Sequence, residues 1–387
     1  MKKTITIFGS TGSIGKSTIN IIQNSPEKYD VLGLTARHNY KLLAEQAISL
    51  NAKYVCIAEE KYLGDLKNLL SGEKIKVLAG VSGLCEIADL GSKLVVAAIV
   101  GSAGLLATFK SIQAGSDIAL ANKESLVCAG KLFINEAKKH RVKLLPTDSE
   151  HNAIFQVFEE SNRDQIEKIT LTASGGPFLN MPIEQLKTVT PEQATKHPNW
   201  NMGKKITVDC SNMVNKGLEI IEAHYLFNIP AEQIEVLIHP QSIIHSMVTY
   251  KDGSTLAQLG PPDMRTPISY AMDWPKRPEK SLVAKLDLAK IGHLTFQECN
   301  IKRFPAVKIC KDSLALADDA KIILNAANEI AVENFLENKI NYTSITKIIE
   351  KMMSSQKISS SNSIEEIIKK DSEYRTKTQE YIDGNNL

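Results

Sequence analysis

The sequence predicts an α/β protein that begins with a doubly wound parallel sheet, continues into a mixed α+β region and ends in helices. Three observations predict this class. Short apolar runs alternate with helical stretches over residues 1–148, and such alternation gives parallel strands covered by helices on both faces. Further along, Asp252-Gly253 separates two strand-like runs, which is a hairpin signal. After Pro305 there is no proline, and apolar residues follow a helical period.

Seven strands are predicted in the first region, and the helical stretches include 41–51 and 102–114. Several of the strands are nearly continuous apolar runs, as expected for strands that are buried on both faces. The predicted strands are Thr4–Phe8, Val31–Thr35, Tyr54–Ala58, Ile75–Ala79, Leu94–Ile99, Asp117–Ala121 and Val142–Leu145.

The rest of the chain divides by composition. Residues 149–290 hold both tryptophans and the predicted hairpin Ser242–Tyr250 and Ser254–Leu259, which indicates a mixed sheet with helices on one face. Residues 291–310 are interpreted as a linker and 311–387 as a small helical domain. In that domain Ser363 and Glu366 could form a capping box, and Ser359–Ser363 reads as a loop. An apolar helical stripe precedes the loop at Ile345, Ile348, Ile349, Met352 and Met353.

Length and composition exclude several classes of protein. A chain of 387 residues should form two or three domains, and 43% hydrophobic with 23% charged residues is ordinary for a globular protein. No apolar run is long enough to cross a bilayer, and a net charge of +2 gives no sign of a nucleic-acid or membrane partner. The six cysteines form no C-x-x-C pair. With no signal-like N-terminal segment, a cytoplasmic location is expected.

A glycine-rich turn follows the first predicted strand and opens a helix. Gly9, Gly12 and Gly15 have the spacing G-x-x-G-x-x-G, a variant of the dinucleotide-binding fingerprint of Rossmann-like domains. Such glycines let the backbone approach a diphosphate at the helix N-terminus. One alternative is a tight turn without a ligand. Gly15-Lys16-Ser17 resembles the end of a P-loop, but Ser10 stands where that motif requires glycine.

The end of the second strand indicates the type of dinucleotide. NAD sites usually carry an acidic residue there, whereas this chain has Arg37-His38-Asn39. A guanidinium suits the 2′-phosphate of NADP(H). The alternative is that Arg37 is only a solvated loop residue.

Carboxylates and lysines suggest a second site. Asp148 and Glu150 lie two residues apart after the last strand of the first region, and hard oxygen ligands of this kind suit Mg²⁺ or Mn²⁺. On a predicted helix, Asn215, Lys216 and Glu219 share a face with Glu222. An exposed, salt-bridged helix is the plainer interpretation. Gly217 inside it suggests a close approach by another element.

Two further segments are candidates for ligand contact. Asn122-Lys123-Glu124 follows a strand and therefore lies at the ligand edge of the sheet. Residues 197–203 form a polar loop around Trp200, and loops of this kind often act as lids. The alternative is an ordinary surface loop anchored by its tryptophan.

Taken together, these motifs resemble one family, 1-deoxy-D-xylulose 5-phosphate reductoisomerase of the non-mevalonate isoprenoid pathway. The matching stretches cover the first two regions in order; the C-terminal helices fit in length and type but carry no motif. They are GSTGSIG (9–15), ALANKESLV (119–127), LLPTDSEHNAIFQ (144–156), ASGGPF (173–178), KHPNWNMG (196–203), NKGLEIIEAHYLF (215–227), HPQSIIHSMV (239–248) and PDMRTPI (262–268).

The resemblance implies an enzyme that rearranges and reduces 1-deoxy-D-xylulose 5-phosphate to 2-C-methyl-D-erythritol 4-phosphate. Residues 1–148 would bind NADPH, and 149–290 would form the catalytic domain that binds metal and substrate. The cofactor residues would be Thr11, Gly12, Ser13, Ile14 and Asn39, with Asn122, Glu124 and Gly203 nearby. Arg37 joins this set from its charge alone, as argued above. A divalent cation, Mg²⁺ or Mn²⁺ with Co²⁺ as a further candidate, would be held by Asp148, Glu150 and Glu219. The sugar phosphate would contact Lys123, Ser149, Glu150, Ser174, His197, Asn215, Lys216 and Glu219.

Lys123 and Glu150 are then the acid–base candidates, since they would lie beside the metal, and Lys123, Asp148, Glu150 and Glu219 form the catalytic set. Retro-aldol cleavage and recombination is the expected route, with a direct skeletal shift left open. Family members are homodimers, and residues 242–259 could supply the sheet edge for that contact. Two rival functions are a plain NADPH-dependent dehydrogenase, which has no need of three carboxylates, and a non-catalytic NADPH-binding regulator, which would tolerate loss of Lys123 and His197.

The sequence departs from the family pattern at two places. Cys210 stands where the family usually has a serine that contacts the substrate phosphate, and a thiol is a poor donor. Either the phosphate loses one hydrogen bond or Ser211 compensates. Arg37-His38 stands where Gly-Lys is common. This pair keeps positive charge near the 2′-phosphate but leaves the individual contact open.

Overall fold

A computed structural model of the chain describes residues 2–197, 200 and 202–385. By their internal contacts these residues form two compact units, each built from several stretches of the chain. The first unit comprises Met1–Ser125, Leu132–Asn152 and Met264–Ala284, and the second comprises Leu126–Lys131, Ala153–Asp263 and Lys285–Leu387. No helix within the described ranges is both long and apolar enough to cross a membrane.

The strands of both units are short, and the first seven match the predicted strands to within two residues at each end. In chain order they are β1 Lys3–Phe8, β2 Tyr29–Ala36, β3 Tyr54–Ile57, β4 Lys76–Ala79, β5 Leu94–Ala97, β6 Asp117–Leu120, β7 Leu144–Pro146, β8 Ile166–Ala173, β9 Ile234–Ile238, β10 Ile244–Tyr250, β11 Thr255–Leu259 and β12 Gln297–Glu298.

The helices range from single turns to twenty residues. They are α1 Ser13–Gln23, α2 Tyr40–Ser49, α3 Leu63–Leu69, α4 Gly80–Ala88, α5 Leu105–Gln113, α6 Lys123–His140, α7 Ser149–Val157, α8 Pro191–Ala194, α9 Lys204–Ser211, α10 Val214–Phe227, α11 Arg265–Asp273, α12 Leu288–Ile291, α13 Pro305–Ser313, α14 Asp319–Leu336, α15 Ser344–Ser355 and α16 Ile364–Asp383.

The first unit is the predicted doubly wound sheet. Its strands lie in the order β4-β3-β2-β1-β5-β6-β7, and every neighbouring pair is parallel. The chain adds strands toward one edge from β1 to β4 and then toward the other edge from β5 to β7, so the order of strands reverses between β1 and β5. Open α/β sheets bind ligands at the carboxyl ends of the strands at such a point. Ile5, Leu34, Val55 and Val96 are fully buried along these strands. The glycine-rich turn after β1 therefore lies where a ligand is expected.

The second unit contains the predicted mixed sheet. Its order is β11-β10-β8-β9-β12, in which only β8 and β9 are parallel. The predicted hairpin is confirmed as β10 and β11. Ile169 and Leu171 of β8 pack in one apolar cluster with Ile220 of α10 and Val307 of α13. This cluster holds α10 on the sheet.

The C-terminal helices pack around α14, which is buried along most of its length. The predicted stripe on α15 is confirmed, since Ile345, Ile348, Ile349 and Met352 are buried. Only half of the predicted capping box forms. Ser363 accepts from the Glu366 N–H, but the Glu366 carboxylate accepts from Asn362, one residue before the cap.

The predicted Ser359–Ser363 loop carries no regular secondary structure up to residue 362, and it is anchored by a buried carboxylate. Asp319 accepts from both Ser359 and Ser361 at its two oxygens. Lys370 donates to the same carboxylate at 2.7 Å. The proposed domain boundaries at 148, 290 and 310 stay a prediction; residues 264–284 belong to the first unit, and the predicted linker 291–310 contains β12 and the start of α13.

Candidate functional site

The three glycines of the turn after β1 have different structural roles. Gly9 has a φ of +79°, and a Cβ there would lie 2.7 Å from the Ala98 carbonyl oxygen. A Cβ on Gly15 would lie 2.4 Å from the Gly9 oxygen. Gly12 is exposed and is the N-cap of α1, with no side chain capping the first turn. The unsatisfied N–H groups of an eleven-residue helix therefore face an open turn, which is the arrangement that binds a diphosphate.

Arg37 lies at the end of β2 and is highly exposed, with 81% of its side chain accessible. Its Nε lies 3.2 Å from the Glu59 carboxylate, which also pairs with Lys61 at 3.0 Å. Asn39 caps α2, because its side-chain oxygen accepts from the Leu42 N–H. The guanidinium is thus partly oriented by Glu59, and its contact with a 2′-phosphate stays a prediction.

Asn122 has a structural role at the end of β6. Its side chain donates to the carbonyl oxygens of Ile99 and Gly101 and accepts from the Ser125 N–H, which caps α6. These bonds join the loop after β5 to the start of α6. Asn122 and Glu124 are both buried, and their predicted proximity to the cofactor stays a prediction.

Buried Lys123 and half-buried Asp148 form an ion pair in the first unit. The Lys123 Nζ lies 2.5 Å from an Asp148 oxygen, with side-chain exposures of 6% and 12%. The Nδ1 of buried His151 lies 3.5 Å from the other Asp148 oxygen. Burial would raise the pKa of Asp148, but the Lys123 ammonium and His151 hold it well below its usual range. The carboxylate is therefore kept ionised, as a metal ligand must be.

Glu150 follows on the first turn of α7. The Ser149 hydroxyl donates to Glu150 Oε2 at 2.5 Å, and the Glu150 N–H donates to Asp148 at 3.3 Å. A hydrogen bond between near neighbours in the chain therefore links the two predicted acidic residues. Ser149 orients the Glu150 carboxylate.

In the second unit, α10 carries the other predicted carboxylate. Asn215 donates to one Glu219 oxygen and Lys216 to the other, and all three side chains are buried. The interpretation of this segment as an exposed, salt-bridged helix is wrong, because the helix packs on the mixed sheet and on α13. Gly217 faces α13: a Cβ there would lie 2.4 Å from the Cys310 sulfur. The close approach predicted from this glycine is confirmed.

Ser174 and His197 lie together in the second unit. Ser174 Oγ is 3.1 Å from His197 Nε2 and also accepts from the Gly176 N–H. His197 Nδ1 accepts from the Trp200 N–H, so the proton of a neutral imidazole is on Nε2. Of the predicted lid, Pro198, Asn199 and Asn201 lie outside the described residues. Gly203 is the N-cap of α9.

The structure decides what Ser211 can do. Ser211 is 1% exposed, and its hydroxyl donates to the Val208 carbonyl oxygen at 2.6 Å and lies 3.0 Å from the Tyr342 hydroxyl. A serine has one proton to donate, and this one is already committed. Ser211 therefore does not replace the family serine as a donor to phosphate, and the partly exposed Cys210 is left at that position.

Tyr342 is a residue that sequence reasoning missed. It is 131 residues from Ser211 and lies in the segment between α14 and α15, where no motif marks it. His151 was also missed, although it lies inside the matching stretch 144–156. Its spacing of three residues from Asp148, across the start of α7, was an available signal.

The donor sets fit the groups that the family resemblance implies. Asp148, Glu150 and Glu219 offer hard carboxylate oxygens, which Mg²⁺ and Mn²⁺ prefer. The open α1 N-terminus beside Gly12 fits a diphosphate, and the exposed guanidinium of Arg37 fits a 2′-phosphate.

Comparison with known proteins agrees with this chemistry. Residues 5–130 match a family model of 1-deoxy-D-xylulose 5-phosphate reductoisomerase, and residues 144–227 and 259–377 match models of its C-terminal domains. A protein of that name from Chlorobaculum tepidum is 48% identical over 381 residues, 98% of this chain and 100% of the relative.

Solved structures give the same result. The reductoisomerase from Zymomonas mobilis in complex with NADPH superimposes with a TM-score of 0.93 at 45% identity, covering 99% of each chain. A reductoisomerase in complex with NADPH, fosmidomycin and magnesium gives a TM-score of 0.94 at 41% identity, covering 98% of each chain. Both similarities extend over nearly the whole length, so this chain belongs to the 1-deoxy-D-xylulose 5-phosphate reductoisomerase family.

Proposed function

We propose that this chain catalyses the NADPH-dependent rearrangement and reduction of 1-deoxy-D-xylulose 5-phosphate to 2-C-methyl-D-erythritol 4-phosphate. One observation carries the proposal: the first unit pairs Asp148, whose side chain is 12% exposed, with buried Lys123, and the second buries Glu219 against Lys216. Buried charges destabilise a protein unless they are paired, so carboxylates kept in this way fit a functional site. A plain dehydrogenase of a small aldehyde has no need of them.

The cofactor would bind at the turn after β1 through Thr11, Gly12, Ser13 and Ile14. Arg37 and Asn39 would contact the adenosine end of the cofactor. Asn122, Glu124 and Gly203 would lie near the remainder of the cofactor. NADPH supplies the hydride that reduces the rearranged aldehyde. The exposed Arg37 and the absence of an acidic residue at positions 37–39, after β2, support NADPH over NADH.

A divalent cation would be held by Asp148, Glu150 and Glu219. The chemistry that such a cation supplies is polarisation of the substrate carbonyl and neutralisation of charge on adjacent oxygens. Ser149 would orient Glu150 through the hydroxyl contact between them. Lys123 and Glu150 would move the hydroxyl protons of the substrate.

The phosphate of the substrate would be held in the second unit by Ser174, His197, Asn215 and Lys216, with Cys210 in the place of the family serine. The placement of His197 supports this role, because its Nε2 lies 3.1 Å from Ser174 Oγ and the two side chains can therefore approach one phosphate group. The phosphate takes no part in bond changes, so its binding energy can orient the reacting end of the substrate.

We further propose that the chain acts as a homodimer in the cytoplasm. The edge strand β11 pairs with β10 on one side and leaves Leu256 exposed at 41%. An exposed strand edge is a ready template for pairing with another chain.

The test is oxidation of NADPH in the presence of 1-deoxy-D-xylulose 5-phosphate, followed by absorbance, with and without EDTA. We expect EDTA to abolish turnover and added Mg²⁺ or Mn²⁺ to restore it, since uncompensated carboxylates repel one another. The thermal unfolding of the EDTA-treated protein serves as a control for loss of structure. Full activity in a metal-free preparation would refute metal dependence, and no turnover under any condition would favour the regulator.

A further inference from the structure

Two segments of the second unit that carry proposed phosphate ligands touch each other through their backbones. One is the loop Ser174–Phe178, and the other is the end of α9 at Cys210 and Ser211. Gly176 has a φ of +69°, and a Cβ there would lie 2.8 Å from Ser211 Cα and 3.1 Å from the Cys210 carbonyl oxygen. The two segments therefore meet backbone to backbone, without an intervening side chain. Their relative position depends on the contacts that other residues make with both of them.

Tyr342 contacts both segments from the same side chain. Its hydroxyl lies 3.0 Å from Ser211 Oγ, and its ring meets Phe178 edge to face with centroids 5.4 Å apart and an interplanar angle of 79°. Phe335 of α14 supports the ring from another direction, with centroids 5.7 Å apart. Tyr342 is itself only 5% exposed, so few other positions are open to it.

The direction of the hydroxyl contact follows from the available protons. Ser211 donates its one proton to the Val208 carbonyl oxygen, so the Tyr342 hydroxyl must donate to Ser211 Oγ. A buried tyrosine hydroxyl normally needs such a partner. The bond links the segment after α14 to the last turn of α9.

We propose that Tyr342 is a positioning residue for phosphate binding, which holds the last turn of α9 against the Ser174–Phe178 loop so that Cys210 and Ser174 face one phosphate group. The proposal rests on the function proposed above. Placement matters in this chain because the Cys210 thiol is a weaker hydrogen-bond donor than a serine hydroxyl, so phosphate binding depends more on the alignment of the remaining contacts.

The test compares Tyr342→Phe and Ser211→Ala with the unaltered chain. Tyr342→Phe removes the hydroxyl but keeps the ring against Phe178 and Phe335. We expect it to raise the Michaelis constant for the sugar phosphate about three- to tenfold, which corresponds to the free energy of one hydrogen bond. The inhibition constant of inorganic phosphate, measured as a competitor, should rise by the same factor. The Michaelis constant for NADPH should change less than about twofold.

Tyr250→Phe is the matched control. Tyr250 is a buried tyrosine of the same unit whose hydroxyl donates to the Val157 carbonyl oxygen and accepts from the Glu159 N–H, away from the phosphate segments. Its loss should lower the melting temperature without changing either Michaelis constant. If Tyr342→Phe behaves in the same way as Tyr250→Phe, the positioning role is overturned.

The double variant Tyr342→Phe with Ser211→Ala separates the two residues. If they act through one bond, its effect on the sugar phosphate should equal that of the larger single variant rather than the product of both. Multiplicative effects contradict the link. If the unaltered chain does not turn over the sugar phosphate, the proposed function fails, and calorimetric binding of inorganic phosphate to the same variants still decides the role of Tyr342.

Discussion

Single residues show most directly where motif and geometry agree. Gly9 and Gly15 were singled out by spacing, and the structure gives each a steric reason, since a Cβ at either would collide with backbone. Lys216 and Glu219 were singled out by helical spacing and form a buried ion pair. Ser211 is the opposite case, because only the structure shows that its proton is already donated.

Arg37 should determine the preference for NADPH. Replacing it with alanine removes a charge-assisted contact with the 2′-phosphate worth roughly 1.5–3 kcal/mol, so the Michaelis constant for NADPH should rise about 10–100-fold. NADH has no 2′-phosphate and should be little affected. Steady-state kinetics with both cofactors measure this.

Glu59→Gln provides the control for this variant, since it removes the carboxylate that pairs with Arg37 and leaves the guanidinium in place. It should leave NADPH binding intact or improve it. An equal effect of Arg37→Ala on both cofactors would show that Arg37 does not contact the 2′-phosphate.

Cys210→Ser tests the departure from the family pattern. A hydroxyl donates a better hydrogen bond to phosphate than a thiol does, so the variant should keep or improve the affinity for the sugar phosphate. Ser211→Ala is the comparison, and because the Ser211 proton goes to Val208, any effect of that variant should come through Tyr342. Markedly weaker substrate binding by Cys210→Ser, seen as a raised Michaelis constant, would mean that the site is packed for sulfur.

At the scale of elements, α10 is the clearest correction. Its polar spacing is that of an exposed helix, yet it lies between the mixed sheet and α13 with Asn215, Lys216, Glu219 and Glu222 all buried. Asn215 and Lys216 both donate to the Glu219 carboxylate along the helix, which is why these three side chains can be buried. Gly217 was the one sequence signal that pointed to this packing.

Gly217→Ala should therefore destabilise the protein despite the better helix propensity of alanine. The new methyl group would lie 2.4 Å from Cys310 Sγ and 3.0 Å from the Ala306 carbonyl oxygen, so α13 must move. Overpacking of this kind costs about 1–3 kcal/mol. Urea unfolding would measure the change in free energy.

Two variants make this experiment specific. Gly64→Ala, in α3, meets nothing within 4 Å and should be neutral or slightly stabilising. Combining Gly217→Ala with Cys310→Ala removes the sulfur and should recover part of the loss. A stabilising Gly217→Ala variant would show that α10 and α13 do not pack as described.

At the scale of the whole molecule, the exposed surfaces of the chain determine whether copies of it associate. The edge strand β11 follows the hairpin that the sequence predicted and presents Leu256 at 41% exposure. Two copies that pair through this edge would extend each mixed sheet.

Light scattering should give a mass about twice the 42.6 kDa of one chain. Leu256→Lys should shift the mass toward that of one chain, because lysine at a strand edge opposes pairing. Leu69→Lys, on α3, changes a leucine with a similar exposure of 48% and should leave the mass unchanged. A dimer that survives Leu256→Lys would mean that β11 is not the interface.

The sequence by itself determined the order of strands and helices in the first unit, the hairpin, the C-terminal apolar stripe and the glycine turn after β1. These features depend on residues that are close in the chain, and local periodicity and turn chemistry specify them. The family motifs also stand in the sequence, because each is a short contiguous stretch. Tertiary structure alone decided that α10 is buried, that Ser211 donates to Val208, and that Tyr342 contacts both Ser211 and Phe178. The two Tyr342 contacts join residues more than a hundred positions apart, and all three features depend on how whole elements pack rather than on any local pattern.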